Sequence, residues 1–151
     1  MKQHSCGAIL YTIINKKVYI ILGLEKDIWL PFKGVREDGE TNVDAAIREI
    51  YEETFGVVNV KNISLNCNFS NKKKHYHIGS YYINYNYIDM LYKNMRYLMS
   101  KNTNRYSRFL EKKDIGLFML DNIALNKFHI ITKISIDYYQ NYLEKIQNSL
   151  K

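Results

Sequence analysis

The sequence has few of the features that mark a secreted or membrane-bound protein. Two cysteines, Cys6 and Cys67, in 151 residues are too few for a disulfide framework, so we expect small buried thiols or unremarkable surface positions in a reducing compartment. The first apolar run, residues 6–14, is too short to span a bilayer, and neither a basic leader nor a small-residue cleavage site accompanies it. The sequence therefore predicts a cytoplasmic protein that makes no membrane contact.

Proline and glycine are also scarce, which excludes low-complexity segments and long flexible linkers. The chain has one proline and seven glycines, and no repeat or change of composition divides it. At 46% apolar residues, a chain of this length can bury one hydrophobic core but is short for two. We therefore expect residues 1–151 to form a single α/β domain.

Acidic residues are outnumbered, with 15 Asp and Glu against 22 Lys and Arg, which gives a formal net charge of +7. A basic surface attracts polyanions, although non-specific adhesion is an alternative. The chain also has 14 tyrosines, whose rings are suited to stacking on nucleic-acid bases. An AT-rich coding sequence would account for the same composition, so composition alone leaves the partner open.

Residues 6–14 and 18–25, rich in β-branched and aromatic side chains, predict a β-hairpin joined by a short polar loop. Pro31 lacks an N–H group and should break the ladder where a long loop opens at Gly34 and runs to Thr41. Residues 41–54 have helical apolar spacing, with Thr41 as the N-cap, Asp44 as its partner in the first turn, and Gly56 as the stop.

Further elements follow this helix. Residues 57–69 and 75–87 predict two strands separated by a basic turn at residues 71–74. Residues 89–108 predict a long connection with room for one helix, and residues 114–120 predict a last strand. Residues 134–150 carry apolar side chains at spacings of three and four, which predicts an amphipathic helix packed on the sheet.

The segment REIYEETFG, residues 48–56, places Glu49, Glu52 and Glu53 within five positions of a basic chain. Offsets of three and four bring these carboxylates to one helix face, where like charges destabilise the helix by about 0.2–0.5 kcal/mol per pair. Mg²⁺ or Mn²⁺, which prefers oxygen ligands, would offset that repulsion. A solvated acidic face is the alternative, but Arg48 can pair with Glu52 or Glu40, which favours a fixed scaffold.

Residues 34–57 resemble the Nudix box, in which Gly, five residues, Glu and seven residues precede Arg-Glu-apolar-any-Glu-Glu-any-Gly-apolar. The matching positions are Gly34, Glu40, Arg48, Glu49, Ile50, Glu52 and Glu53. The closing Gly56 comes one position late, and we expect Phe55 to lengthen the helix by one residue before Gly56 takes the left-handed conformation. The resemblance implies the Nudix α/β/α sandwich, a mixed β-sheet between helices.

The resemblance also implies an activity, hydrolysis of a nucleoside diphosphate linked to another group. Carried over to this sequence, Glu49 and Glu53 would be the main ligands of Mg²⁺ or Mn²⁺, and Glu52 would join them directly or through water. The carbonyl group of Gly34 would complete the set. The bound metal would neutralise phosphate oxygens and lower the pKa of a bound water.

Three further residues have roles implied by the resemblance. Arg48 and Glu40 would hold the metal ligands in place. The general base would be one of the box glutamates or Glu111, which precedes the predicted last strand. An exposed charge in the segment EKKD is the alternative for Glu111.

The segment WLPFKG, residues 29–34, bears on the substrate. Its PFKG resembles the PKG of Nudix enzymes that act on mRNA caps, dinucleoside polyphosphates and diphosphoinositol polyphosphates, and it lacks the paired glycines common in the ADP-ribose type. Two further segments, EET at residues 52–54 and EKKDIGLF at residues 111–118, join PFKG in favouring mRNA decapping. The phosphate-rich partner would then be capped RNA. The alternatives are hydrolysis of either class of small polyphosphate, or a non-catalytic RNA- or nucleotide-binding module.

Basic residues supply the predicted substrate contacts. Lys33 would touch a phosphate or lie solvated beside Gly34. Lys72, Lys73 and Lys74, together with residues 93–108, would follow an RNA backbone. The sequence leaves open whether residues 89–108 form a lid, an interface or an RNA-contacting surface.

Overall fold

A seven-stranded mixed sheet forms the centre of the structure, a computed structural model that describes residues 2–101 and 111–151. Its strands are β1 (Gln3–Ile14), β2 (Lys17–Glu25), β3 (Ile28–Leu30), β4 (Phe32–Val35), β5 (Cys67–Asn71), β6 (Lys74–Tyr82) and β7 (Asp114–Met119). The sheet order is β3-β2-β1-β6-β5, with β4 also paired to β1 and β7 to β2. The β1–β6 pair is parallel and the other pairs are antiparallel.

The predicted N-terminal hairpin is confirmed. Asn15 and Lys16 form its two-residue turn, with φ angles of 50° and 63°. Positive φ at both turn positions matches the right-handed twist of the two strands. This turn sets the register in which Leu10 pairs with Ile21, and the register decides which side chains of β1 and β2 face each side of the sheet.

The predicted loop opening at Gly34 is wrong. Pro31 does separate two strands, but the chain beyond it changes partner and pairs with β1 as strand β4, so the loop begins only after Val35. Gly34 lies inside this strand, opposite Cys6. The remote partner β1 supplies the ladder hydrogen bonds that local sequence could not reveal.

Helices cover both faces of the sheet, which confirms the predicted α/β/α architecture. Buried side chains of α1 (Asn42–Glu53) and α2 (Asn86–Lys101) pack with one face of β1, and those of α3 (Ile130–Ser149) pack with the other. A short 3-10 helix, Leu120–Leu125, follows β7. No helix within residues 2–101 and 111–151 is long and apolar enough to cross a membrane.

Helix α1 begins as predicted but ends differently. The Thr41 side chain accepts a hydrogen bond from the Asp44 N–H, at 3.1 Å. At the other end, Phe55 N–H bonds to the Glu52 carbonyl and Gly56 N–H to the Tyr51 carbonyl, the paired bonds of a Schellman motif. Phe55 itself is left-handed, with φ of 59°, so the expectation that it would extend the helix is wrong.

Other predicted boundaries also need correction. Residues 57–66 were predicted as part of a strand, but their backbone does not join the sheet. Their apolar side chains alternate because they pack on the core. Helix α2 takes in the end of the strand predicted at residues 75–87 and most of the connection predicted at residues 89–108. Residues 102–108 of that connection lie outside the described residues. Helix α3 starts four residues earlier than predicted. Cys6 and Cys67 are buried free thiols.

Candidate active site

The three box glutamates lie at the C-terminal end of α1. Glu49 and Glu53 are buried, and Glu52 is half-buried. The C-terminal end of a helix carries the negative end of its dipole, and the last turn of α1 contains no basic residue. Cations from outside this turn must therefore balance the carboxylates.

Arg48, one residue before Glu49, provides part of this balance. Its guanidinium group bonds both carboxylate oxygens of Glu40, at 2.8 and 3.0 Å, and one oxygen of Glu49, at 2.8 Å. It also bonds the Val35 carbonyl at 3.0 Å and reaches Glu52 at 3.5 Å. Both predicted pairings, with Glu40 and with Glu52, are thus present in one network.

Glu49 lies between this network and strand β4. Burial raises the pKa of Glu49, Arg48 opposes that rise, and the charges of Glu52 and Glu111 add to it. A methyl group added at Gly34 would collide with the Glu49 carboxylate. The glycine therefore leaves the space that the Glu49 carboxylate occupies, and the role of the Gly34 carbonyl as a metal ligand stays a prediction.

Glu53 contacts Lys33 and Lys112 rather than Arg48. Its Oε1 accepts a hydrogen bond from the Lys33 backbone N–H at 2.6 Å and lies 3.6 Å from the ammonium group of Lys112. Its Oε2 is buried and has no hydrogen-bond partner. Burial raises the pKa of Glu53 to about 8, although Lys112 and the Lys33 N–H act against the rise.

Glu111 is exposed, and its charge contributes to the raised pKa of Glu49. Its neighbour Lys112, to which the sequence analysis gave no role, is fully buried. It bonds Glu25 Oε2 and the Pro31 carbonyl, each at 3.2 Å. The segment therefore brings one carboxylate and one buried cation to the end of α1.

The predicted substrate lysines lie in two places. The Lys33 ammonium group is 5.6 Å from the centre of the Tyr76 ring, so this side chain lies against the sheet, while its backbone N–H binds Glu53. Lys72 and Lys73 are exposed at the β5–β6 turn, and Lys74 is half-buried as the first residue of β6. Their predicted contacts with phosphate remain predictions.

Comparison with known proteins gives a result at the level of structure. No protein-family model and no curated protein sequence matches the chain. A C. elegans Ap4A hydrolase, in a binary complex, has a TM-score of 0.61 at 19% identity over 95% of this chain and 98% of that chain. A mutT/nudix family protein from Listeria innocua has a TM-score of 0.59 at 14% identity, over 97% and 90% of the two chains.

A third structure agrees with these two. The NUDIX domain of Shewanella oneidensis NrtR, complexed with ADP ribose, has a TM-score of 0.63 at 11% identity over 100% of this chain and 90% of that chain. The chain has the Nudix fold. At these identities the likeness establishes the fold, and the activity has to be argued from the residues of the site.

The side chains at the end of α1 decide whether a divalent cation fits this site. Among residues 2–101 and 111–151, no three His, Cys, Asp or Glu side chains already form a metal-binding group. Arg48 holds Glu49, and Glu53 lies toward Lys33 and Lys112. Two observations nevertheless suit Mg²⁺ or Mn²⁺: Glu53 Oε2 has no hydrogen-bond partner, and the Glu49 carboxylate lies against Gly34. The available donors are all oxygen atoms, which these cations prefer.

Glu53 should make the metal-free protein less stable as the pH rises. Its ordinary pKa of 4.5 is raised to about 8 by burial, so between these values the folded state holds a proton that the unfolded chain has released. The free energy of unfolding should therefore fall from about pH 5 to about pH 8 and then level off. Urea unfolding in EDTA across this range would measure the effect.

Glu53→Gln is the control for this pH dependence, because an amide in the same position does not titrate. We expect a shallower fall in the free energy of unfolding for this variant than for the wild type. Parallel curves for the two proteins would show that the Glu53 carboxyl does not hold the extra proton.

Proposed function

We propose that the protein is a divalent-metal-dependent hydrolase that cleaves a diphosphate linkage between a nucleoside and a second group. The proposal depends chiefly on the carboxylates at the end of α1, where Glu53 Oε2 is buried without a partner. A carboxylate oxygen in that position is costly unless a proton or a cation meets it. The Nudix fold supports the proposal, because one solved structure with this fold is an Ap4A hydrolase.

Each residue of the site has a proposed role. Glu49, Glu52 and Glu53, with the Gly34 carbonyl, would hold Mg²⁺ or Mn²⁺. When bound, the cation neutralises phosphate oxygens and lowers the pKa of a water molecule. Arg48 keeps the Glu49 and Glu52 carboxylates in place through the contacts described above, and Glu40 in turn orients Arg48.

Glu111 is the proposed general base. It is exposed, so it can reach a water molecule, and its charge is close enough to raise the pKa of Glu49. A base must lie within reach of the proton that it accepts. A box glutamate remains the second candidate for this step, and comparison of the pH–rate profiles of Glu111→Gln and the wild type would distinguish the two.

A polyphosphate that joins two nucleosides is the substrate class that we favour. The similarity to the Ap4A hydrolase extends over nearly the whole of both chains. An mRNA 5′ cap contains the same kind of polyphosphate bridge, so decapping is the second candidate. The observation that favours decapping is the pair of exposed lysines, Lys72 and Lys73, at the β5–β6 turn.

One turnover assay tests the function and the substrate together. The wild-type protein, with Mg²⁺ or Mn²⁺, would be offered a diadenosine polyphosphate, cap-labelled RNA, a diphosphoinositol polyphosphate and ADP-ribose. We expect cleavage of the diadenosine compound. Intact capped RNA under the same conditions would exclude decapping, and the absence of turnover on all four compounds would contradict the proposed hydrolase.

If capped RNA is bound, its affinity should depend on salt through the lysines of the β5–β6 turn. Replacing Lys72, Lys73 and Lys74 with Gln should reduce the slope of log affinity against log salt by about 2, since each phosphate contact on a single strand contributes about 0.7. Filter binding at several salt concentrations would measure the slope.

Lys133→Gln with Lys145→Gln provides a control for the loss of charge away from the turn. Both lysines are exposed on α3, so the double variant lowers the net charge without changing the turn. We expect its salt slope to stay near the wild-type value. A wild-type slope in the turn variant would show that these lysines do not follow the RNA backbone.

A further inference from the structure

Lys112 is a buried lysine at the edge of the proposed active site. Its side chain has 0% exposure, and burial of an ammonium group is unfavourable unless acceptors surround it. Two hydrogen bonds join it to Glu25, at the end of β2, and to the Pro31 carbonyl, between β3 and β4. Glu53 Oε1, at the end of α1, lies 3.6 Å from the ammonium group and forms an ion pair with it.

The opposite wall of this lysine site is Gly23 in β2. A methyl group added there would lie 2.6 Å from Cδ of Lys112 and 2.9 Å from its Cγ and Cε. Real side chains do not approach this closely, so Gly23 provides the space through which the lysine reaches Glu53. The fit of the stem fixes the path of the side chain as well as the position of its charge.

The backbone next to Lys112 is hydrogen-bonded to strand β2. Lys113, the next residue, donates its N–H to the Leu24 carbonyl at 2.7 Å, and β7 begins at Asp114. Glu111, the proposed base, immediately precedes Lys112 on the chain. The buried lysine therefore fastens the exposed glutamate to the sheet beside the end of α1.

We propose that Lys112 is a positioning residue of the active site, an inference that rests on the proposed function. The ammonium group holds Glu53 Oε1 from one side, while the Lys33 N–H holds it from another, so that Oε2 is the oxygen left for the cation. The same buried side chain anchors the residue next to Glu111, whose charge acts on Glu49. Lys112 thus places a metal ligand and the base relative to each other without touching the substrate.

The test is Lys112→Met, which keeps most of the buried stem and removes the charge. We expect its Mn²⁺ dissociation constant, measured by calorimetry, to rise about 10- to 100-fold, as is typical when a partner of a metal ligand is removed. For the diadenosine polyphosphate, kcat should fall by about tenfold or more while KM changes by less than about threefold. Both measurements should be made well below the unfolding temperature of the variant.

Lys113→Met is the matched control, because this neighbouring lysine is exposed. It should keep Mn²⁺ affinity and kcat within about twofold of the wild type. Gly23→Ala is the second test, because it displaces the Lys112 stem without removing its charge. We expect Gly23→Ala to weaken Mn²⁺ binding and lower kcat, as Lys112→Met does.

If Lys112→Met shows no cooperative unfolding transition, Gly23→Ala decides the question. A folded Lys112→Met or Gly23→Ala protein with wild-type Mn²⁺ affinity and kcat would overturn the positioning role. A wild-type protein that binds no Mn²⁺ and cleaves no diphosphate linkage would overturn the proposed function, and this inference with it. The two failures are distinguishable, because one appears in the wild type and the other only in the variants.

Discussion

Glu53→Gln is expected to lower turnover of the diphosphate substrate at least about a thousandfold, equivalent to about 4 kcal/mol of transition-state stabilisation. The substitution removes the negative charge that a cation would meet at the buried Oε2. It preserves the shape of the side chain, whose carbonyl oxygen can still accept the Lys33 N–H. The loss should therefore appear in kcat and in Mn²⁺ binding without a loss of folding.

Glu144→Gln is the matched control for this measurement. Glu144 is exposed on α3, where its carboxylate accepts a hydrogen bond from Gln140 at 3.0 Å. The same change of charge should leave turnover within about twofold of the wild type. If Glu53→Gln retained wild-type turnover, the metal mechanism would be wrong. If the wild type bound nucleotides without cleaving them, the non-catalytic module would be the better interpretation.

The sequence could predict the helix and hairpin that carry the site because their patterns are local. The spacing of apolar residues in α1 and the Thr41 cap depend on neighbours within one or two turns. The β1–β2 hairpin needs only a two-residue turn between two apolar runs. Arg48 and its carboxylate partners also lie close along the chain, so their network could be anticipated.

The parts that sequence reasoning missed depend on remote partners. Strand β4 is defined by its pairing with β1, and residues 57–66 alternate because they pack on the core rather than because they join the sheet. Lys112 is indistinguishable from an exposed lysine within EKKD. Its burial depends on Gly23, Glu25 and Pro31, more than eighty residues earlier on the chain. The sequence carried no local signal that could reveal it.

Phe55 shows how a bulky residue can occupy the left-handed position at the end of α1. The Nudix box has glycine at this position, and Phe55 adopts the left-handed conformation that glycine would favour, with φ of 59°. Left-handed backbone in a bulky residue costs about 1–2 kcal/mol. The phenyl ring is 2% exposed in the core, and burial of a phenylalanine side chain contributes about 1.5–3 kcal/mol, enough to offset that strain.

Arg48→Met should lower the free energy of unfolding by about 2 kcal/mol, which corresponds to about 4–8 °C in Tm for a chain of this size. The Arg48 side chain is 20% exposed, and its guanidinium group bonds Glu40 through both carboxylate oxygens, as well as Glu49. Its removal leaves Glu40 and Glu49 close together in a partly buried site without this counter-charge. Arg96→Met, at an exposed position on α2, should change the free energy of unfolding by less than about 0.5 kcal/mol.

A double-mutant cycle would separate the Arg48–Glu40 pair from the loss of packing around the arginine stem. We expect Arg48→Met and Glu40→Gln to show a coupling energy of about 1–2 kcal/mol in urea unfolding, since the bond is bidentate and both side chains are mostly buried. Arg48→Lys should recover only part of the stability, because an ammonium group cannot bond both oxygens of Glu40 and still reach Glu49 in the same geometry. Additive effects of the two substitutions would show that the network does not hold the carboxylates in place, and the proposed role of Arg48 would then be wrong.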